Sequence, residues 1–150
     1  MTDLVDDPRK LYRHCHREAL RWGDMDAFGH INNVQFFRYL ESARVEYALV
    51  AYSDTVRSEG ANIILADLSC AFRRQLHWPG TVDVYTRTVR VGRTSLGLEQ
   101  IICLADTKEV VAESKTVLVW FDFDTQKPAS VPERIRARLS EYERIRPEGL

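Results

Sequence analysis

Apolar and polar positions divide the chain into one helical block followed by a run of strands. From Val34 to about Tyr52 most positions are apolar, among them Phe36, Phe37, Tyr39, Leu40, Ala43, Val45, Tyr47, Ala48 and Leu49. Gln35, Arg38, Ser42 and Glu46 form the clearest polar stripe, at spacings of three and four, the period of a helix. A helix that is apolar on most sides is one that other elements surround. Glu41 and Arg44 are spaced to pair across one of its turns.

After Gly60 the period becomes two. Ile64, Ala66, Leu68, Cys70 and Phe72 alternate with Leu65, Asp67, Ser69, Ala71 and Arg73, as in a strand. Trp78-Pro79-Gly80 reads as a turn. Strands are then predicted over 81–91, 94–105 and 109–123, separated by Gly92-Arg93 and Asp106-Thr107-Lys108. Such short connections imply antiparallel pairing. Leu11 to Trp22 reads as a first strand, and residues 1–10 as a loose polar segment. Ser130 precedes Glu133 by three positions, with Pro132 between them, the spacing of a capping box. A terminal helix is predicted over residues 130–146, with Val131, Ile135, Leu139 and Tyr142 on one stripe. No repeat or linker divides the chain. The expectation is one domain over residues 1–150, of α+β class: one long helix against a curved antiparallel sheet.

Composition narrows the function classes. The 150 residues are enough for one domain with a real core. A net charge of −1 gives no overall attraction to nucleic acid or to an anionic membrane. The longest apolar runs, such as Ile101 to Ala105, are far too short to span a bilayer. The start of the chain has no basic segment leading into an apolar block, which argues against a secretory signal. Cys15, Cys70 and Cys103 are odd in number and widely spaced, as expected of reduced thiols in a cytoplasmic protein.

The chemistry concentrates in residues 21–33, Arg-Trp-Gly-Asp-Met-Asp-Ala-Phe-Gly-His-Ile-Asn-Asn. Two carboxylates, an imidazole, a glycine and two amides lie in a short loop that feeds the apolar helix. The first N–H groups of a helix lack partners and can hold a developing negative charge. A carboxylate beside them suggests attack on a carbonyl. An aspartate has an ordinary pKa of about 3.9 and is ionised at neutral pH, so it can act as nucleophile or as base. For Asp26 the competing reading is a loop residue that caps the helix. Asp24 reads equally as a support or as a turn carboxylate. His14 and His16 share one face of a strand, but no further Cys or His cluster completes a metal site. His77 reads as a turn residue. No Gly-rich phosphate loop and no Gly-x-Ser-x-Gly elbow occurs.

Asp24-Met-Asp-Ala-Phe-Gly-His-Ile-Asn-Asn33, followed by Phe37-Arg-Tyr-Leu-Glu-Ser-Ala-Arg44, resembles the 4-hydroxybenzoyl-CoA thioesterase-like acyl-CoA thioesterases of the hotdog fold. Phe72 to Leu76, Pro79 to Val82, Val91 to Leu96 and Val119 to Asp122 extend the resemblance over roughly residues 12–138. The resemblance implies a sheet wrapped around the long helix, sites at subunit interfaces, and a homodimer or homotetramer. Asp26 matches the family's catalytic aspartate, with nucleophile and base both open. Asn33 matches the position whose backbone N–H polarises the thioester oxygen. His30 belongs to one version of the motif, as an accessory group or as a histidine fixing the turn. Arg90 and Arg93 flank the turn where the family often places CoA contacts, and a guanidinium suits phosphate. Thr94 and Ser95 are candidates for the pantetheine arm. Arg73, Arg74 and Arg87 are weaker phosphate candidates. CoA enters as part of the substrate, and no cofactor or metal is expected.

The activity implied is hydrolysis of an acyl- or aroyl-CoA to free acid and CoA. Two alternatives stand beside it: a thioesterase acting on acyl carrier protein, and a non-catalytic acyl-CoA-binding module on the same fold. Phe28, Phe36, Phe37 and Tyr39 could line an acyl pocket, but an enclosed helix needs such residues anyway.

Overall fold

The computed structural model describes residues 7–52 and 60–150. Most of the expected segment 1–10 lies outside the described residues; Pro8–Lys10 forms a short 3-10 turn. The elements are β1 (His14–Ala19), α1 (Asn33–Ala51), β2 (Ala61–Phe72), β3 (Thr81–Val91), β4 (Ser95–Leu104), β5 (Val110–Asp122), β6 (Lys127–Pro128) and α2 (Glu133–Tyr142). The sheet runs β1-β3-β4-β5-β2, every neighbouring pair antiparallel, with the two-residue β6 beside β5. This is the α+β layout expected, with the long helix against one face.

The inner face of the sheet holds two apolar clusters. Leu40, Ala43, Val82, Val84, Ile102 and Val111 pack at the end where β1 leaves the sheet. Tyr47, Leu96, Leu98, Trp120, Ile135 and Leu139 pack at the other, under α2. Gln100 lies between them, only 1% exposed, and its amide donates to the Leu40 carbonyl and to Thr86 Oγ1, each at 3.0 Å. A buried amide without such partners would cost on the order of 1–3 kcal/mol. Tyr12, Tyr85, Ile101 and Cys103 form a smaller cluster. Asp83, 1% exposed, is held by Arg17 at 2.8 Å and Lys108 at 3.0 Å. The Arg17 hydrogen bond is the main cause that lowers its pKa.

The pattern of period two in β2 breaks in the middle. Leu65 pairs with Leu118 and Asp67 with Val117, so Ala66 is an extra residue in a bulge. A bulge swaps the faces of the residues beyond it. Opposed residues share a face, so Leu65 lies with Leu68, Cys70 and Phe72 on the helix side, and Ile64 and Ala66 do not. Helix α1 is also less enclosed than its composition suggests. Val34, Val45 and Leu49 remain more than half exposed, because one sheet covers one side of the helix. Glu41 pairs with Arg38 at 3.6 Å, whereas Arg44 turns inward to Gln100 Oε1. The stripe of α2 is buried as expected, but the helix is shorter at both ends than residues 130–146. No capping box forms: Pro132 is the N-cap, and no side chain caps the first turn. The Val131 N–H donates instead to the Arg93 carbonyl at 2.8 Å. At the far end the Glu143 side chain enters the core, where it accepts from Tyr47 and from the Thr88 N–H, and the chain leaves the helix to bring it there.

Candidate active site

After β1 the Leu20 N–H donates to the Gly80 carbonyl at 2.8 Å, and Trp22–Asp24 makes one 3-10 turn. Met25 and Ile31 then bridge antiparallel. Between them the Asp26 N–H donates to the His30 carbonyl at 2.9 Å, and the Gly29 N–H to the Asp26 carbonyl at 3.0 Å. The chain thus closes a tight turn with Asp26 at its base. Gly29 has φ +80°, a conformation that strains a residue carrying Cβ, so glycine is required there.

The half-buried Asp26 carboxylate is oriented by its own turn. Oδ1 accepts the Phe28 N–H at 2.9 Å, and Oδ2 has no protein partner among the described residues. The next segment starts α1. Asn32 is its N-cap: Oδ1 accepts the Val34 N–H at 2.9 Å, and its own N–H donates to the Asp24 carbonyl at 2.9 Å. Asn33 is the first helical residue, and its N–H has no acceptor among the described residues. A helix start aims such a donor, with the helix dipole behind it, at an incoming anion. Asp24 turns towards α1. Its Oδ2 accepts the Tyr39 hydroxyl at 2.8 Å, and burial together with that carboxylate raises the Tyr39 pKa well above its ordinary value.

Asp26, His30 and Asn33 line one open cavity of about 540 Å³. Phe36 forms part of the same wall, and Phe72, Arg73, Arg74 and Gln75 at the end of β2 form the opposite one. The Phe72 ring stands edge-on to Phe36, with centroids 5.2 Å apart. Arg73 pairs with Glu113 at 2.8 Å, and Arg74 pairs with Glu109. Among the described residues the His30 ring makes no hydrogen bond to the Asp26 carboxylate. The ring packs edge-on against His77, with centroids 4.6 Å apart.

Arg90, Arg93, Thr94 and Ser95 do not reach this cavity within one chain. They surround the β3–β4 turn, where Val91 pairs with Leu96, whereas the Asp26 turn lies at the Thr81–Leu104 end of the same strands. An eleven-residue strand such as β3 puts roughly 30 Å between those ends. His14 and His16 face α1 and meet Glu46. Among the described residues no group of three His, Cys, Asp or Glu side chains is arranged to hold a metal ion. Contact of His77 with the Asp26 turn is the feature least visible in the sequence, since no spacing rule links Gly29 to a residue 48 positions away.

A curved antiparallel sheet against one long helix is the architecture of the hotdog thioesterase fold. Residues 20–139 match the thioesterase-like superfamily model, and the chain belongs to that superfamily. A thioesterase from Thermus thermophilus, solved with coenzyme A and zinc, is 31% identical and superposes with a TM-score of 0.75 over 85% of this chain and 98% of that one. A putative thioesterase from Pseudomonas aeruginosa is 30% identical, with a TM-score of 0.76 over 83% of this chain and 95% of that one. In sequence, an acyl-acyl carrier protein thioesterase of Arabidopsis thaliana is 24% identical over 80% of this chain, which spans 64% of that protein. The long-chain acyl-CoA thioesterase FadM of Escherichia coli is 23% identical over 78% of this chain and 89% of its own length. The chain thus spans slightly less than two thirds of the first of these curated relatives.

Proposed function

We propose that this protein hydrolyses acyl- or aroyl-CoA thioesters to the free acid and CoA. One observation carries the reading: Asp26 and Asn33 line the same cavity, and the Asp26 Oδ2 and the Asn33 N–H have no protein partner among the described residues. A thioester oxygen placed against that N–H gains hydrogen-bond stabilisation as it becomes an oxyanion. Asp26 then acts in one of two ways. Oδ2 attacks the carbonyl carbon, the carbon–sulfur bond breaks, and water hydrolyses the resulting anhydride. Alternatively, Oδ2 takes a proton from water, and the hydroxide attacks. In both, CoA leaves as a thiolate that protonates in solvent, so no strong acid is needed. His30 lines the site as an accessory group. The scheme uses no redox step and no cofactor.

A second copy of the chain completes the site in this reading. Strand β2 is a sheet edge, and Leu65, Phe72, Val45 and Leu49 are exposed on it and on α1. Antiparallel pairing of two β2 edges would lay the Asp26 end of one sheet beside the Val91–Ser95 end of the other. Arg90, Arg93, Thr94 and Ser95 would then approach the cavity from the second subunit, where CoA phosphates and pantetheine need partners. Each arginine at the cavity wall is matched by a glutamate, a balance that favours a free CoA ester over an acidic carrier protein. Three free cysteines fit a reducing, cytoplasmic setting.

Steady-state hydrolysis of a panel of acyl- and aroyl-CoAs, followed with a thiol reagent, tests the reading. Asp26→Asn is expected to lower kcat at least 100-fold on the best substrate, on the order of 3 kcal/mol. Equal, slow hydrolysis of every ester by wild type and variant would overturn it.

A further inference from the structure

The Asp26 turn is exposed at its tip. Phe28 is 86% exposed, and a Cβ built on Gly29 would meet no atom within 4 Å. Yet this tip supplies the N–H that orients Asp26 Oδ1. The base of the turn is held by backbone: the Ile31 N–H donates to the Leu76 carbonyl at 2.8 Å. The next residue, His77, reaches the tip. Its Nδ1 lies 3.2 Å from the Gly29 carbonyl oxygen, and its ring packs edge-on against His30. A carbonyl only accepts, so Nδ1 carries the proton of this bond. His77 itself is absent from the lining of the Asp26 cavity and borders a different cleft, beside Pro79 and Thr81.

We propose that His77 is a positioning residue for the reaction: it anchors the Gly29 carbonyl and the His30 ring, and through them fixes the direction of the Asp26 carboxylate. The proposal rests on the thioesterase reading. The linkage is short. The Gly29 carbonyl is held by His77 and the Gly29 N–H by the Asp26 carbonyl, so both sides of Gly29 are restrained, and with them the tip from which the Phe28 N–H reaches Oδ1. Displacement of a reacting group by about 1 Å can cost on the order of 100-fold in rate, whereas loss of one exposed hydrogen bond changes stability little. The effect therefore belongs in kcat, with KM and folding nearly unchanged.

The test compares wild type, His77→Ala, His77→Asn, His30→Ala and the His77→Ala/His30→Ala double variant on the best CoA ester. An asparagine amide nitrogen occupies much the same place as Nδ1. His77→Ala is expected to lower kcat about tenfold with KM within twofold. His77→Asn is expected to recover most of that loss. The double variant is expected to fall short of the product of the two single effects, because both residues act on one turn. Wild-type kcat in His77→Ala, no recovery in His77→Asn, or fully multiplicative losses would each overturn the proposal. A second readout separates it from the thioesterase reading. In ¹⁵N–¹H spectra of the full chain, His77→Ala should shift the Phe28 and Gly29 amides, and His77→Asn should return them towards wild type. Those shifts without turnover of any ester would support the anchor and sink the activity; unmoved amides would sink the anchor whatever the activity.

Discussion

The two ends of the sheet treat their polar groups in opposite ways. At the Val91–Ser95 end, the backbone carbonyls of the turn meet protein partners. The Gly92 carbonyl accepts Arg136 at 2.5 Å, the Arg93 carbonyl accepts the Val131 N–H, and the Thr94 carbonyl accepts the Trp120 N–H. Deeper in, Tyr47, Tyr52, Thr88 and Glu143 share one buried network. At the other end the Asp26 turn leaves a carboxylate oxygen and a helix N–H without protein partners among the described residues, beside an open cavity. Paired groups stabilise the fold; unpaired ones cost stability and are free to meet a substrate. On the proposed function, the contrast puts most of the folding energy at one end and the reacting carboxylate at the other.

The largest expected break of that contrast is Leu139→Ala. Leu139 is fully buried in the cluster under α2, far from the Asp26 turn. Truncating a buried leucine costs about 2–5 kcal/mol through lost transfer energy and the cavity left behind. Urea unfolding should show that loss, while kcat per folded molecule stays within twofold of wild type. A large fall in kcat at temperatures where the variant is fully folded would mean that the two ends are not separate.

Asn32→Ala sharpens the contrast from the other side, with a smaller effect on stability. Removing an N-cap costs typically about 1 kcal/mol. Here the cap also stands next to the N–H proposed to hold the oxyanion, so the fall in kcat should exceed anything that loss of stability explains. Asn32→Asp keeps the acceptor but places a negative charge beside the oxyanion site. It should recover the unfolding midpoint and not kcat. Recovery of both would make Asn32 a cap only.

Most of the architecture was legible because period and turn chemistry are local. The long helix of 19 residues, four of the strands and the buried stripe of α2 can be read from spacing alone. The candidate loop was legible through its motif. With two adjacent asparagines before the apolar run, the sequence left open which one caps the helix, and the structure puts the cap at Asn32. Long-range geometry was not legible. Nothing local shows that Ala66 sits in a bulge, or that Glu143 leaves the helix for the core. The contact of His77 with the Asp26 turn is set by how two connections pack, and spacing carries no trace of it. Composition shows that α1 has apolar residues to spare. It does not show that Val45 and Leu49 stay uncovered in one chain, because that depends on how far the sheet wraps.

The smallest expected effect is a pH dependence of the paired end. His14 begins β1, is 6% exposed, and stands edge-on to Tyr47 with centroids 5.6 Å apart. Neither ring nitrogen has a hydrogen-bond partner among the described residues, although Nε2 lies 3.5 Å from Glu46 Oε1. Burial is the largest influence and lowers the His14 pKa from 6.5; the Glu46 carboxylate opposes it, and the neighbouring His16 adds to it. The fold therefore favours the neutral ring. On acidification below about pH 6.5 the unfolded chain takes up this proton first, so stability falls with falling pH and levels off once the folded form is also protonated. Phenylalanine fills the same space and does not titrate. His14→Phe should flatten the fall in urea midpoint between about pH 7.5 and 5.5 relative to wild type, by less than the Asn32→Ala cost. Glu18 and Glu46 stay in place in both proteins, and because His14 and His16 both lie against Glu46, the difference between the two slopes reports His14 together with its interaction with His16. Equal slopes would remove His14 from the acid response, and with it the claim that the paired end carries a titrating weakness.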